Sequence, residues 1–334
     1  MEAVYKIQQP DRIPFVPAIY EHKGKLIGRS PSEICRSAEL LEQGLLKELE
    51  TYDPDMLVAG IDVYNVEAEA LGCNVVYFDD SIDVPAIAEA VLKSPDDLKR
   101  LAVPDPERDG RMPLFLEAAA AVQRRVGREL IVRGALTGPF SMAAALAGTD
   151  SFLMAAVEDP AFAARAMEFT SQVTVAFGKA FIAVGVEPIV FDSWATPQMC
   201  SPRVFRELVA PLYRDYVIPE FRAAGARFVP LIIGGKTDAV IDDLIATDAD
   251  QLLADAPANR KLFLEKCTRA KKPFRANVRA QLVHSGPLEE IRGQALEILR
   301  DCGGYAGFLF GCGIVAYDCP PEHVRVMRDL LEEM

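Results

Sequence analysis

Eight short apolar runs, separated by longer amphipathic stretches, constrain the fold of this 334-residue chain more than any other feature. They cover residues 14–18, 56–61, 130–135, 188–191, 228–233, 251–254, 273–276 and 307–310. Each is apolar almost throughout instead of alternating, and most end at glycine, proline or a polar residue. A strand with one wet face alternates, whereas a parallel strand buried on both faces reads as a continuous apolar run. The stretches between them carry helix-start punctuation. Ser94-Pro95 and Ser201-Pro202 read as an N-cap followed by proline at the first helical position, and Asp159-Pro160 opens an alanine-rich helix over 161–184. Pro287 and Pro321 open two more. Alternating strand and helix predicts right-handed crossovers and a parallel sheet. Eight strands favour a closed (β/α)₈ barrel over an open sheet. The expected fold is therefore α/β, a (β/α)₈ barrel over residues 1–334 as one domain. An N-terminal helical extension, a helical segment over 30–52 and elaborated loops after the first two strands accompany it. Residues 73–78 read as a small extra strand outside the barrel.

Composition removes several classes of function. The net charge of −13 argues against nucleic acid or an anionic membrane as main partner. The most apolar stretch, 177–191, is interrupted by Lys179, Gly185, Glu187 and Pro188, so it is no membrane span. Seven cysteines without tight pairing suit a reducing compartment. The start, Met1-Glu2-Ala3-Val4-Tyr5-Lys6, has no signal-peptide apolar region, so a cytoplasmic location is expected. Nothing in the composition separates a monomer from a homo-oligomer.

In such a barrel the active site forms at the C-terminal ends of the strands. The residues following the runs are Glu21 and His22; Asp62, Tyr64 and Asn65; Thr137 and Phe140; Asp192 and Trp194. Lys236, Asp255, Asn277 with Arg279, and Cys312 complete the set. Structural readings stand beside the functional ones. Asp192 suits a cap of the following turn, Asp62 a turn residue, and Asp255 and Asn277 partners for loop backbone. Cys312 suits a small buried hydrophobe. His22, in the charged Glu21-His22-Lys23-Gly24-Lys25, reads as a solvated loop. A nucleophile elbow, a P-loop, HExxH and a dinucleotide fingerprint are all absent; Gly234-Gly235-Lys236-Thr237 lacks the upstream glycine of a P-loop. A thiolate at Cys312 could bind zinc, but a catalytic zinc site needs about three protein ligands. The run 228–233 with Gly234-Gly235 supplies neither histidine nor cysteine.

Six segments together carry a family resemblance: Ile61-Asp62-Val63-Tyr64-Asn65 through Gly72, Thr137-Gly138-Pro139-Phe140-Ser141, Phe191-Asp192-Ser193-Trp194-Ala195, Ser201-Pro202-Arg203-Val204-Phe205, Ala276-Asn277-Val278 and Gly311-Cys312-Gly313-Ile314. In order and spacing the chain resembles the uroporphyrinogen decarboxylase superfamily, in particular its corrinoid-dependent branch of methylcobalamin:coenzyme M methyltransferases. The resemblance implies a TIM barrel, a methylcorrinoid (cobalamin) as methyl donor and a corrinoid protein as partner. Two departures matter. The decarboxylases open with an arginine-rich stretch that grips propionates, whereas Arg12 stands alone before the first run here. The thiol-specific methyltransferases hold zinc with a His-x-Cys pair and a later cysteine. The corresponding positions are Ile232, Gly234 and Cys312, so the zinc site reads as lost.

The leading expectation is methyl transfer from the methylcorrinoid to tetrahydrofolate, a small-molecule acceptor that needs no zinc. Asp192 and Asn277 are the first candidates for pterin contacts, with Asp255 and Asp62 next. Tyr64, Phe140 and Trp194 are expected along the apolar wall, and Cys312 near the substrate. The alternatives are a zinc-dependent thiol methyltransferase with Cys312 joined by His22 or Asp192, a decarboxylase of another acid with Asp192 handling the proton, and a binding scaffold without turnover.

Overall fold

Parallel pairing joins the eight runs into a ring with one seam left unladdered. The computed structural model describes residues 1–334. Its barrel strands are β1 (Ala18–Ile19), β2 (Met56–Ala59), β3 (Ile131–Thr137), β4 (Glu187–Phe191), β5 (Leu231–Ile232), β6 (Leu252–Ala254), β7 (Phe274–Val278) and β8 (Phe308–Cys312). β2 to β5 form one ladder and β6 to β8 another. A bridge between Pro230 and Gln251 joins them, and Phe15 pairs with Phe310 on the far side. Immediately after β8, Ile314–Val315 pairs with β1.

The seam between β1 and β2 is closed differently. Asp55 N–H donates to Phe15 O at 2.9 Å. Above it the fully buried Lys23 ammonium donates to the carbonyls of Ile19 (2.9 Å), Val58 (3.2 Å) and Gly60 (2.8 Å). Buried carbonyls need donors, and here a side chain supplies what a ladder would. Glu48 lies 3.8 Å from the same ammonium.

Side-chain direction alternates along each strand. Ala18, Val58, Ile189, Ile232, Leu253 and Leu309 point into the barrel and form an inner core. The alternate positions, such as Phe274, Ala276 and Phe310, pack against the helices. The expected N-terminal extension is the single turn Glu2–Tyr5, which stops the lower end. Tyr5 accepts from Arg133 Nη2 (2.9 Å) and donates to Gln251 (2.6 Å). Only the C-terminal end of the barrel is left open.

Several punctuation signals act as read. Ser201 accepts from Val204 N–H, and Asp159 caps the long helix Pro160–Ala183. Residues 30–52 form the turn Pro31–Ile34, with its capping box, and the helix Ala38–Tyr52. Ser94-Pro95 yields only the tight turn Asp97–Arg100, where the Ser94 hydroxyl donates to the Asp97 carboxylate at 2.9 Å instead of accepting a backbone N–H as a cap. The extra strand is Asn74–Val76, paired antiparallel with Ala86–Glu89. That second strand is alanine-rich and largely exposed, so no apolar run marked it. No single helix is long and apolar enough to cross a membrane.

Candidate active site

The strand ends enclose a cavity of about 410 Å³. Ala18, Phe191, Ile232 and Leu253 give it apolar walls, and its polar groups cluster on β6 and β7. Asp255 follows β6. Its Oδ2 accepts from Gly235 N–H at 2.9 Å, and its Oδ1 accepts from Asn277 Nδ2 at 3.4 Å. Gly235 can make that bond because its φ of +82° is open to glycine, and a Cβ would lie 2.7 Å from Gln198 Oε1. Asn277, on β7, is 4% exposed, and its Oδ1 has no partner in the protein.

Two residues earlier on the same face of β7 lies Arg275, 3% exposed. Its one hydrogen bond is a 3.4 Å contact from Nη1 to Val16 O, and its Nε is buried without an acceptor. It lies level with Leu253 on β6 and Leu309 on β8. Gly311 makes room for its stem, since a Cβ there would meet Val16 O at 2.1 Å and Arg275 Cδ at 3.3 Å.

Tyr64 and Tyr20 form the opposite wall. Tyr64 has φ +88°, a conformation costly for a bulky side chain. Its N–H donates to Thr137 Oγ1 at 3.1 Å, and its ring stacks on Trp194 with centroids 5.6 Å apart. Burial pushes the Tyr64 phenol up to about 12, so it remains a neutral hydrogen-bonding group. Tyr20 meets Phe191 edge to face at 5.6 Å.

Of the residues that the sequence places at the strand ends, Glu21, Tyr64, Asp255 and Asn277 line this cavity. Trp194 stands behind Tyr64, facing a neighbouring cleft of about 460 Å³. Asp192, Phe140, Asp62, Cys312 and His22 lie elsewhere than expected. Asp192 follows an inward Phe191 and therefore points out into the helix layer, where it is fully buried. There it accepts from Ser141 N–H (2.7 Å), Phe140 N–H (3.4 Å) and the Tyr213 hydroxyl (2.7 Å). It anchors the start of the helix Pro139–Ala147. Burial raises its pKa, and those three donors oppose the rise. Phe140, on that helix, packs edge to face on Phe152 within the core. Asp62 is held by Arg111 at 2.7 Å and by Asn65. Burial pushes its carboxyl up to about 6 even beside the arginine.

Cys312 is on the outward face of β8, because Gly311 and Gly313 hold the inward positions. Burial pushes its thiol up to about 11. His22 is buried, not solvated. Its Nε2 meets Tyr52 Oη at 2.6 Å and its Nδ1 faces the carbonyls of Ala316 and Tyr317. Lys236 and Arg279 are exposed outside the cavity. The sequence reading missed Tyr20, Ser193 and Arg275. For Arg275 a signal existed, a lone charge inside an apolar run, two positions before an amide on the same strand face.

These residues do not fit zinc. Ile232 and Gly234 line the cavity but carry no donor atom, Cys312 faces away, and nowhere do three His, Cys, Asp or Glu side chains converge. Metal coordination requires such convergence.

The model of the uroporphyrinogen decarboxylase (URO-D) family matches residues 1–334. The chain belongs to that family. This URO-D family member is 24% identical over 274 residues to the methylcobamide:CoM methyltransferase MtaA of Methanosarcina barkeri, covering 78% of this chain and 75% of the relative. It is 25% identical over 315 residues to the uroporphyrinogen decarboxylase of Shewanella loihica, covering 90% and 85%. Its fold superposes on a methyltransferase from Methanosarcina mazei with a TM-score of 0.87 at 22% identity, covering 99% and 96% of the two chains. The TIM barrel of the URO-D family is thus the architecture of this chain.

Proposed function

We propose that this URO-D family member is a methyltransferase that moves a methyl group from a methylcorrinoid, carried by a partner corrinoid protein, to tetrahydrofolate, without zinc. Relatives named as methylcobamide methyltransferases support the donor. The observation that carries the acceptor is the Asp255–Asn277 pair, an acid and an amide on adjacent strands with Asn277 Oδ1 unpartnered at the cavity. An aminopyrimidinone edge presents N–H donors, and a carboxylate beside an amide oxygen offers matching acceptors. The protein's contribution is placement. Aligning the acceptor nitrogen with the cobalt–methyl bond can supply several kcal/mol, roughly 7–11 in the best-oriented cases. The methyl leaves as a cation equivalent, the bonding pair stays on cobalt, and the nitrogen's proton leaves through the mouth. Glu21 lines that opening, and burial raises its carboxyl pKa.

Decarboxylation of a porphyrinogen fits poorly. A substrate with many carboxylates needs several cations, whereas Arg275 is the lone cation lining the cavity, beside Glu21 and Asp255. The test is calorimetry of tetrahydrofolate against the full chain, together with consumption of methylcobalamin in its presence. Binding and chelator-resistant turnover are expected. A protein that consumes methylcobalamin only with a thiol and added Zn²⁺ refutes the acceptor.

A further inference from the structure

Three cations lie inside or along the barrel wall, and two are fully explained by the fold. Lys23 seals the β1–β2 seam with three carbonyl bonds. Arg133 spends its donors on Pro188 O (3.0 Å), Phe228 O (2.6 Å), the Tyr5 hydroxyl (2.9 Å) and Met56 sulfur (3.3 Å). Neither lines a cavity of the size described above. Arg275 differs in its partners and its surroundings. It is as buried as they are, yet one long carbonyl contact is all it has, no carboxylate lies within ion-pair reach, and it borders open volume. Among Ala18, Leu253 and Leu309 the guanidinium has exchanged most of its exposure for one long hydrogen bond, an unfavourable arrangement for a charge without a partner. A fold that needed only volume there would place leucine or methionine.

We propose that Arg275 is the seat of an anionic group, so that the cavity takes a small organic acid whose carboxylate or sulfonate meets the guanidinium and whose apolar part lies against Ala18, Leu253 and Phe191. The guanidinium fork suits the two coplanar oxygens of a carboxylate, or two of a sulfonate's three. Charge limits the guest. The one guanidinium can neutralise a single negative charge placed against it, and with Glu21 and Asp255 also in the lining a phosphate dianion meets more repulsion than a monoanion. The level of Arg275, one layer below Asp255 and Asn277, makes this a deeper subsite than the shelf assigned above to the pterin. The subsite goes beyond the tetrahydrofolate reading and does not depend on it.

The test uses the full chain and three probes of similar size, namely propionate, ethanesulfonate and neutral propionamide, titrated by NMR or calorimetry. Wild type is expected to bind each anion at least tenfold more tightly than the amide. Arg275→Met and Arg275→Gln are expected to lose at least tenfold in anion affinity and to leave amide binding unchanged. Without ligand, Arg275→Met is expected to melt no lower than wild type, a result that a purely structural arginine would not give. Should a variant fail to fold, the anion-over-amide preference of wild type decides alone. Equal affinity of wild type for propionate and propionamide overturns the proposal, as does unchanged anion affinity in a folded Arg275 variant. Tighter binding of inorganic phosphate than of ethanesulfonate overturns the single-charge argument. Binding of ethanesulfonate through Arg275 with no binding of tetrahydrofolate would remove the acceptor proposed above and uphold this subsite.

Discussion

Replacing Asp192 separates support from chemistry, because its carboxylate is wholly occupied by the protein. It accepts from Ser141 N–H and the Tyr213 hydroxyl at 2.7 Å each, and more weakly from Phe140 N–H at 3.4 Å. Asp192→Ala would leave two well-paired donors buried without an acceptor, at about 1–3 kcal/mol each. It would also remove an anion from the start of a helix, worth roughly 0.3–1 kcal/mol at exposed sites and more when buried. Relief from no longer burying a charge offsets part of this, leaving a loss of about 3–5 kcal/mol out of a total stability of roughly 5–15. Asp192→Asn keeps the shape. Its Oδ1 can still accept from Ser141, and the Tyr213 hydroxyl can turn to accept from the new amide, so about 1–2 kcal/mol is expected. Urea unfolding followed by circular dichroism measures both. Folded Asp192→Asn is expected to retain methyl-transfer activity within about threefold of wild type, since a loss of that size is below 1 kcal/mol in barrier. An Asp192→Asn protein with wild-type stability whose turnover falls a hundredfold would refute the structural assignment.

Glu48 gives a pH signature. Burial raises its carboxyl from 4.5 to about 7. The folded state then binds more protons than the unfolded chain between those values, so stability falls as pH rises through that window, by at most about 3 kcal/mol. Glu48→Gln should flatten the slope in urea melts between pH 4.5 and 7, and an unchanged slope would exclude Glu48 as its source. Asn277→Ala should weaken tetrahydrofolate about tenfold by calorimetry, corresponding to one hydrogen bond of about 1–1.5 kcal/mol. All seven cysteines are buried, so Ellman's reagent should find no rapidly reacting thiol before denaturation and seven after it. Cys312→Ala should keep its turnover, and abolished activity in a folded variant would put the sulfur back into the reaction.

The strand set was legible because burial on both faces erases the alternation that would otherwise compete with it, leaving apolar runs that few other folds produce. The site was legible only along the barrel axis. Residues just past the runs do lie at the open end, as Tyr64, Asp255 and Asn277 show. Which way each faces was not legible, because a one-residue change of phase at a strand end moves a side chain from cavity to helix layer. Asp192 and Cys312 are both one step out of phase. The region from Glu21 to Lys25 misled for another reason. It reads as solvated by composition, but the β1–β2 seam draws Lys23 inward and Tyr52 and two carbonyls draw in His22, so tertiary partners override polarity.

Strand phase also bears on how this chain departs from its thiol-methylating relatives. Positions 232 and 234 are two apart, and both border the cavity, so a His-x-Cys pair placed there would present both ligands to one volume. A Cβ built on Gly234 would lie 3.4 Å from Asp255 Oδ2 and 3.9 Å from Ser193 Oγ, on the shelf that faces Asn277. The glycine therefore does more than omit a ligand. A methyl at 234 would meet these atoms at ordinary van der Waals distance, so glycine keeps open only the volume that a longer side chain would take from the cavity. Cys312, turned into the helix layer, adds nothing to either arrangement. On the reading proposed above, glycine at 234 and the acid–amide pair beside it serve one end, room for a hydrogen-bonded acceptor next to Asp255 and Asn277.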